Sequence, residues 1–195
     1  MLIPKRKAPI QGESENSLSR PGCCRAALFL LLLLLGAGPA HAASELEVKA
    51  AFLFNFTKFV EWPAESFATP AGPVVLGLVG EDPLAEVLPK VIEHQSVKGR
   101  PIEIRRYRAG EDLTGCHVLF ISRSEISRCK DLLRIAEAHN ILTVGDVGEF
   151  LAEGGMINFV LVEKSVRFDI NAKAVAQAGL KMSSKLLAVA RTVRE

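Results

Sequence analysis

His94, His117 and His139 are the side chains most able to hold a metal or carry a proton, but each stands alone in the sequence. No H-E-x-x-H and no Cys-x-x-Cys brings ligands onto one face, so no metal site is expected. Ser127 and Lys130 match S-x-x-K, in which a lysine takes the proton of a serine nucleophile. The S-D-N and K-T-G partners of that chemistry are missing, and two fixed positions in four coincide easily by chance. Neither G-x-S-x-G nor a P-loop occurs, and Gly77-Leu-Val-Gly80 lacks the glycine spacing that cradles a phosphate. The chain therefore reads as a non-enzyme without a cofactor.

Ser122, Ser124 and Asp146 form a weaker set, whose meaning depends on the elements that position them. The runs 74–80 (VVLGLVG), 117–122 (HVLFIS) and 141–144 (ILTV) are short and apolar on both faces, as strands inside a parallel sheet are. IEIRRY at 102–107 alternates, the pattern of a strand with one wet face. One helix is predicted over 44–60, capped by Ser44 and stopped by Pro63. Another starts at Asp82 and Pro83, with Leu84, Val87, Leu88 and Val91 at helical spacing. A third opens at Ser124 or Ser127 and carries Leu132, Leu133, Ile135 and Ala136, and a short one covers 147–152.

The segment GGMINFVLVEKSVRFDIN gives strands at 156–162 and 166–170 joined by a tight turn, and Asn171 caps a closing helix to about residue 193. Strands alternating with helices predict an α/β layered sandwich: a mostly parallel β-sheet flanked by helices, with one antiparallel hairpin near the C-terminus. Ser122, Ser124 and Asp146 then stand at the carboxyl ends of parallel strands, where open α/β sheets bind ligands, and they define a candidate ligand crevice. The alternative is that they cap the helices that follow.

The stretch 49–63, KAAFLFNFTKFVEWP, concentrates the rings Phe52, Phe54, Phe56, Phe59 and Trp62. On a helix, Val48, Phe52, Leu53, Phe56, Phe59 and Val60 share one broad side, the predicted core face. Glu47, Thr57, Lys58 and Glu61 lie opposite, and that solvated face excludes a lipid-embedded helix. Phe54 falls among these polar residues, and Trp62 stands at the helix end. Phe54, Lys58, Glu61 and Trp62 are the candidate partner or dimer surface, because aromatic anchors dominate interface energetics. The alternative is that another part of the chain covers Phe54.

Residues 1–42 read as a cleaved signal peptide: Lys5, Arg6, Lys7, Arg20 and Arg25 precede ten apolar residues at 26–35, and Ala40 and Ala42 make an A-x-A site. Ten such residues are too few to span a bilayer, which takes roughly 20. Removing the leader's five Lys/Arg and two Asp/Glu from totals of 24 and 22 leaves 19 against 20 over residues 43–195, read as a single domain. A formal charge near −1 gives no electrostatic case for nucleic acid. Cys23 and Cys24 leave with the leader. Cys116 opens one strand and Cys129 the helix beyond it, so about 20 Å of strand rise separates them and no disulfide is expected.

VKAAFLFNFTKFVEWP, GCHVLFIS, GGMINF, FDIN and AGLKMSSKLL follow one another along the chain. In that order they resemble the YfiR family of bacterial periplasmic proteins over nearly all of residues 43–195. The resemblance implies a periplasmic, non-enzymatic regulator that binds and represses a membrane-bound diguanylate cyclase, lowering cyclic di-GMP and biofilm formation. It also implies a homodimer, and an OmpA-like outer-membrane lipoprotein that sequesters the repressor. The best-known member has two disulfides, whereas here only Cys116 falls at a matching position. Related domains accompany other receptors, so a small-ligand-binding module relaying to a sensor kinase or another periplasmic-sensing membrane receptor is the alternative.

Overall fold

The computed structural model describes residues 43–108 and 110–195, so the leader assigned to 1–42 lies outside the described residues. Helix α1 (Glu45–Phe59) starts at a capping box: Ser44 Oγ accepts the Glu47 N–H at 3.2 Å, and the Glu47 carboxylate accepts the Ser44 N–H at 2.7 Å. The chain then leaves as β1 (Val60–Glu61) before Pro63. There follow β2 (Val74–Val79), α2 (Leu84–Ile92), β3 (Ser96–Val97), β4 (Arg100–Tyr107), β5 (Val118–Ile121) and a 3₁₀ turn (Arg123–Arg128). Next come α3 (Cys129–Ala138), β6 (Leu142–Gly145), β7 (Ile157–Val162) and β8 (Ser165–Asn171). The chain closes with α4 (Ala172–Gln177), β9 (Lys181–Met182), α5 (Ser184–Val189) and β10 (Thr192–Arg194).

The main sheet has eight strands in the order β10-β8-β7-β6-β5-β2-β4-β3, while β1 and β9 pair separately. Strands β4, β2, β5, β6 and β7 run parallel, and β8 returns antiparallel to β7. The predicted mostly parallel sandwich with a C-terminal hairpin is therefore the observed architecture. A two-residue turn joins β7 to β8, with Glu163 and Lys164 both at positive φ, 47° and 65°. That backbone matches the twist of the flanking strands. Read along the sheet, the parallel strands stand in doubly wound order, and the direction of winding reverses between β2 and β5.

Two apolar clusters cover the two faces of the sheet. On one side, Phe56 of α1 meets Phe168 edge-on at 5.1 Å and Phe159 at 5.9 Å. On the other, Leu132, Leu133 and Ala136 of α3 join Leu119, Ile121, Cys116, Cys129 and Phe150. Among the described residues no helix is long and apolar enough to cross a membrane.

Three predicted helices differ. Residues 147–152 form successive turns, because the Phe150 ring sits between Gly145 and Gly155. A Cβ would approach that ring to 2.7 Å at position 145 and 2.2 Å at position 155. The helix expected from Ser124 or Ser127 is 3₁₀ at first, and α3 starts at Cys129. The closing helix predicted from Asn171 stops at Gln177: Gly179 takes φ +67°, and the Leu180 N–H turns back to the Val175 carbonyl at 3.1 Å. Ser183 then caps α5, and β10 adds to β8 as a parallel edge strand.

Candidate functional site

Where the winding reverses, Ser122 and Ser124 are bonded to the main chain that follows β2. Ser122, 1% exposed, donates its hydroxyl to the Glu81 carbonyl at 2.6 Å, and Ser124 Oγ accepts the Glu81 N–H at 2.9 Å. The two hydroxyls lie 3.3 Å apart, and a Cβ on Gly80 would come within 2.4 Å of Ser124 Oγ. The ends of β2 and β5 are thus laced together. Ser122 also caps the 3₁₀ turn by accepting the Ser124 N–H.

Asp146, at the end of β6, belongs to a different recess. Its carboxylate meets the Lys49 ammonium at 3.2 Å, and Lys49 also pairs with Glu45 at 2.8 Å. Arg123 donates to the Asp146 carbonyl at 2.9 Å. Burial alone would lower the Lys49 pKa, but hydrogen bonds and charges from Glu45 and Asp146 outweigh it and hold the ammonium above the ordinary lysine range. Asp146 Oδ1 is buried without a hydrogen-bond partner and borders a recess of about 230 Å³ shared with Lys49, Arg123, Phe159 and Leu161. The three crevice candidates therefore do not converge: Ser122 and Ser124 fasten one junction, and Asp146 faces another.

The aromatic surface candidates separate in the same way. Phe54 is 7% exposed and packs into the cluster that contains Leu84, Leu88 and Ile92 of α2, correcting the expectation of an exposed ring. Helix α1 is covered by the sheet on one side and α2 on another, so Phe54 and Thr57 of its supposed polar face lie inside while Lys58 and Glu61 do not. Thr57, 1% exposed, answers by donating its hydroxyl to the Phe54 carbonyl. Lys58 lies over the Phe54 ring at 3.9 Å and stays exposed, as does Glu61, which pairs with Lys98 at 3.6 Å.

Trp62 is half-buried and donates its indole N–H to the His117 carbonyl at 3.0 Å. It roofs a site that the sequence did not reveal. His117 is 2% exposed, its Nδ1 accepts the Val75 N–H at 3.1 Å, and its ring lies 4.4 Å from Phe67 and 5.9 Å from Trp62. Arg100 closes the stack 3.9 Å above Phe67. Burial, with the Arg100 charge adding to it, pushes the His117 pKa down to about 4, so the ring is neutral. With Nδ1 accepting, the proton sits on Nε2, which is buried and turned toward the Gly115 backbone. The available signal was a lone tryptophan before Pro63, whose indole needs an acceptor.

No nucleophile is activated in these surroundings. Burial pushes the Cys116 thiol up to about 12 and the Cys129 thiol up to about 11, and both cysteines are free and buried. Ser127 and Lys130 of the S-x-x-K match are exposed, and Lys130 pairs with Glu153 at 3.7 Å. Among the described residues no group of three or more His, Cys, Asp or Glu is placed to hold a metal.

A crystal structure of a conserved domain protein from Vibrio cholerae O1 biovar El Tor has the same fold, with a TM-score of 0.54 at 13% identity. The likeness covers 77% of this chain and 60% of that one, so this chain spans somewhat less than two thirds of that protein. A comparison with curated proteins finds no match. The model of the YfiR/HmsC-like family matches residues 46–191, from the first turn of α1 to the residue before β10, and the chain belongs to that family.

Proposed function

We propose that the protein is a periplasmic, non-enzymatic repressor that binds the sensing part of a membrane-bound diguanylate cyclase and lowers cyclic di-GMP and biofilm formation. Membership of the YfiR/HmsC-like family implies a regulator of diguanylate cyclase signalling in general, and the match over residues 46–191 carries the reading. In this proposal residues 1–42 are a leader removed on export, and residues 43–195 are the regulatory domain. An OmpA-like outer-membrane lipoprotein relieves repression by sequestering it, and the chain self-associates. Lys58 and Glu61 stay exposed for a partner, whereas Phe54 is buried and Trp62 half-buried.

Photo-crosslinking from position 58 in intact cells tests this reading. The expected product contains a membrane protein with a cyclase domain, and deletion of the gene raises cyclic di-GMP. Capture without any membrane sensor, together with unchanged cyclic di-GMP, refutes it.

The buried, unpartnered Asp146 Oδ1 favours a second reading, a small-ligand module that relays occupancy to a sensor kinase or another receptor. That reading predicts ligand-dependent stabilisation, about 2.7 kcal/mol at a hundredfold excess over Kd. The repressor reading predicts a complex that forms without added ligand.

A further inference from the structure

The hydrogen-bonding of β2 fixes which backbone groups of β4 face outward. The Val75 carbonyl accepts from His117 N at 2.9 Å and the Val79 carbonyl from Ser122 N at 3.0 Å, so odd-numbered residues of β2 face β5. Even-numbered residues therefore face β4. With Leu76 opposite Ile104, its backbone bonds Glu103 and Arg105, and Ile102, Ile104 and Arg106 point their N–H and C=O groups away from the sheet. Strand β3 covers only Arg100 and Pro101, after a turn with Lys98 and Gly99 at positive φ. Beyond it no strand among the described residues pairs with that edge of β4, and unpaired edges are templates for another strand.

We propose that this edge is a two-fold seam between copies of the chain, β4 pairing antiparallel with β4 of a second copy about Ile104. The sequence I-E-I-R-R of residues 102–106 is self-complementary in that register. Ile104 meets its own counterpart, while Glu103 meets Arg105 of the other copy and Arg105 meets Glu103. Those charged residues stand at the non-hydrogen-bonded pairs, where cross-strand side chains approach most closely. Two-fold registers centred on Ile102 or Arg106 lose these pairs, and the second sets arginine against arginine.

Glu103 and Arg105 already lie together within one chain at 2.7 and 3.1 Å, so the seam joins two such pairs into one alternating group. On the opposite face of the strand, Ile102 and Ile104 border a groove of about 500 Å³ with Ala85, Pro89 and Ile92, which the second copy's Ile104 side chain enters. The seam rests on the self-association proposed above and gives it a surface, whichever signalling enzyme the protein regulates.

Sedimentation equilibrium over a wide concentration range tests it. The expected result is a monomer–dimer equilibrium that weakens with salt. Arg105→Glu sets like charges across both symmetric pairs and should weaken association by about tenfold or more. Adding Glu103→Arg restores the complementarity and should recover the dimer. Ile104→Cys should give a covalent dimer on mild oxidation, while Ile126→Cys, at an exposed position in the turn after β5, should not. A protein that stays monomeric and uncrosslinked overturns the seam, as does a dimer indifferent to the single and double charge changes.

Discussion

Acid should loosen this protein through one residue, His117. The imidazole is 2% exposed, accepts the Val75 N–H through Nδ1, and lies beside Phe67 and Trp62 with the Arg100 charge nearby. Its pKa falls from 6.5 to about 4 in the fold. Because the folded value is depressed, the unfolded chain binds the proton more readily. The neutral ring's contribution is complete above pH 6.5 and is lost as pH falls toward 4. At 1.36 kcal/mol per pKa unit, the loss between pH 7 and pH 4 amounts to about 3 kcal/mol. Carboxylates titrate in the same range, so the measurement is a difference: urea unfolding at both pH values for the natural protein and for His117→Asn. The asparagine carbonyl can accept the Val75 N–H but does not titrate, so its stability should fall by about 3 kcal/mol less. Equal falls, or an imidazole that titrates near 6.5 by NMR, would refute the argument.

Two substitutions probe packing that was misread or invisible in sequence. Phe54→Ala should cost about 3 kcal/mol of unfolding free energy, as large-to-small changes in cores do. Lost partner binding at intact stability would instead return the ring to the surface. Gly155→Ala should cost about 1–3 kcal/mol, since its Cβ would lie 2.2 Å from the Phe150 ring and 2.7 Å from the Phe150 carbonyl oxygen. Gly148→Ala, with nothing within 4 Å, should be close to neutral in the same denaturation assay.

The parts legible in sequence were those fixed by local patterning. Ser44 and Glu47 stand at the spacing of a capping box, and the apolar runs that became β2, β5 and β6 are buried on both faces. Val147, Phe150 and Leu151 also show helical spacing, but Gly145 and Gly155 bring the chain around the Phe150 ring and turns result. Alanine and leucine in the closing segment favour helix, yet Gly179 at positive φ ends it after Gln177. β3 and β10 are short and largely polar, and their pairing is set by distant residues that no local window contains. Reading α1 by faces assumed one buried side. It has more than one, and Phe54 is the consequence.

Ser122, Ser124, Asp146 and His117 follow a related logic. A serine at a strand end, a carboxylate beside a lysine and a buried histidine are the residues catalysis uses, but a fold also needs them to satisfy backbone groups at sheet ends. Ser122 and Ser124 bind the Glu81 main chain, and His117 serves the Val75 N–H and, through its own carbonyl, Trp62. The direction of the perturbed pKa values separates the two uses. Catalysis by thiols needs thiolate, yet burial drives both cysteines upward, and a neutral His117 has no acidic partner to orient it. What the interior leaves unused is Lys58, Glu61, the outer edge of β4, and the exposed apolar side chains Ile126, Leu161 and Val189.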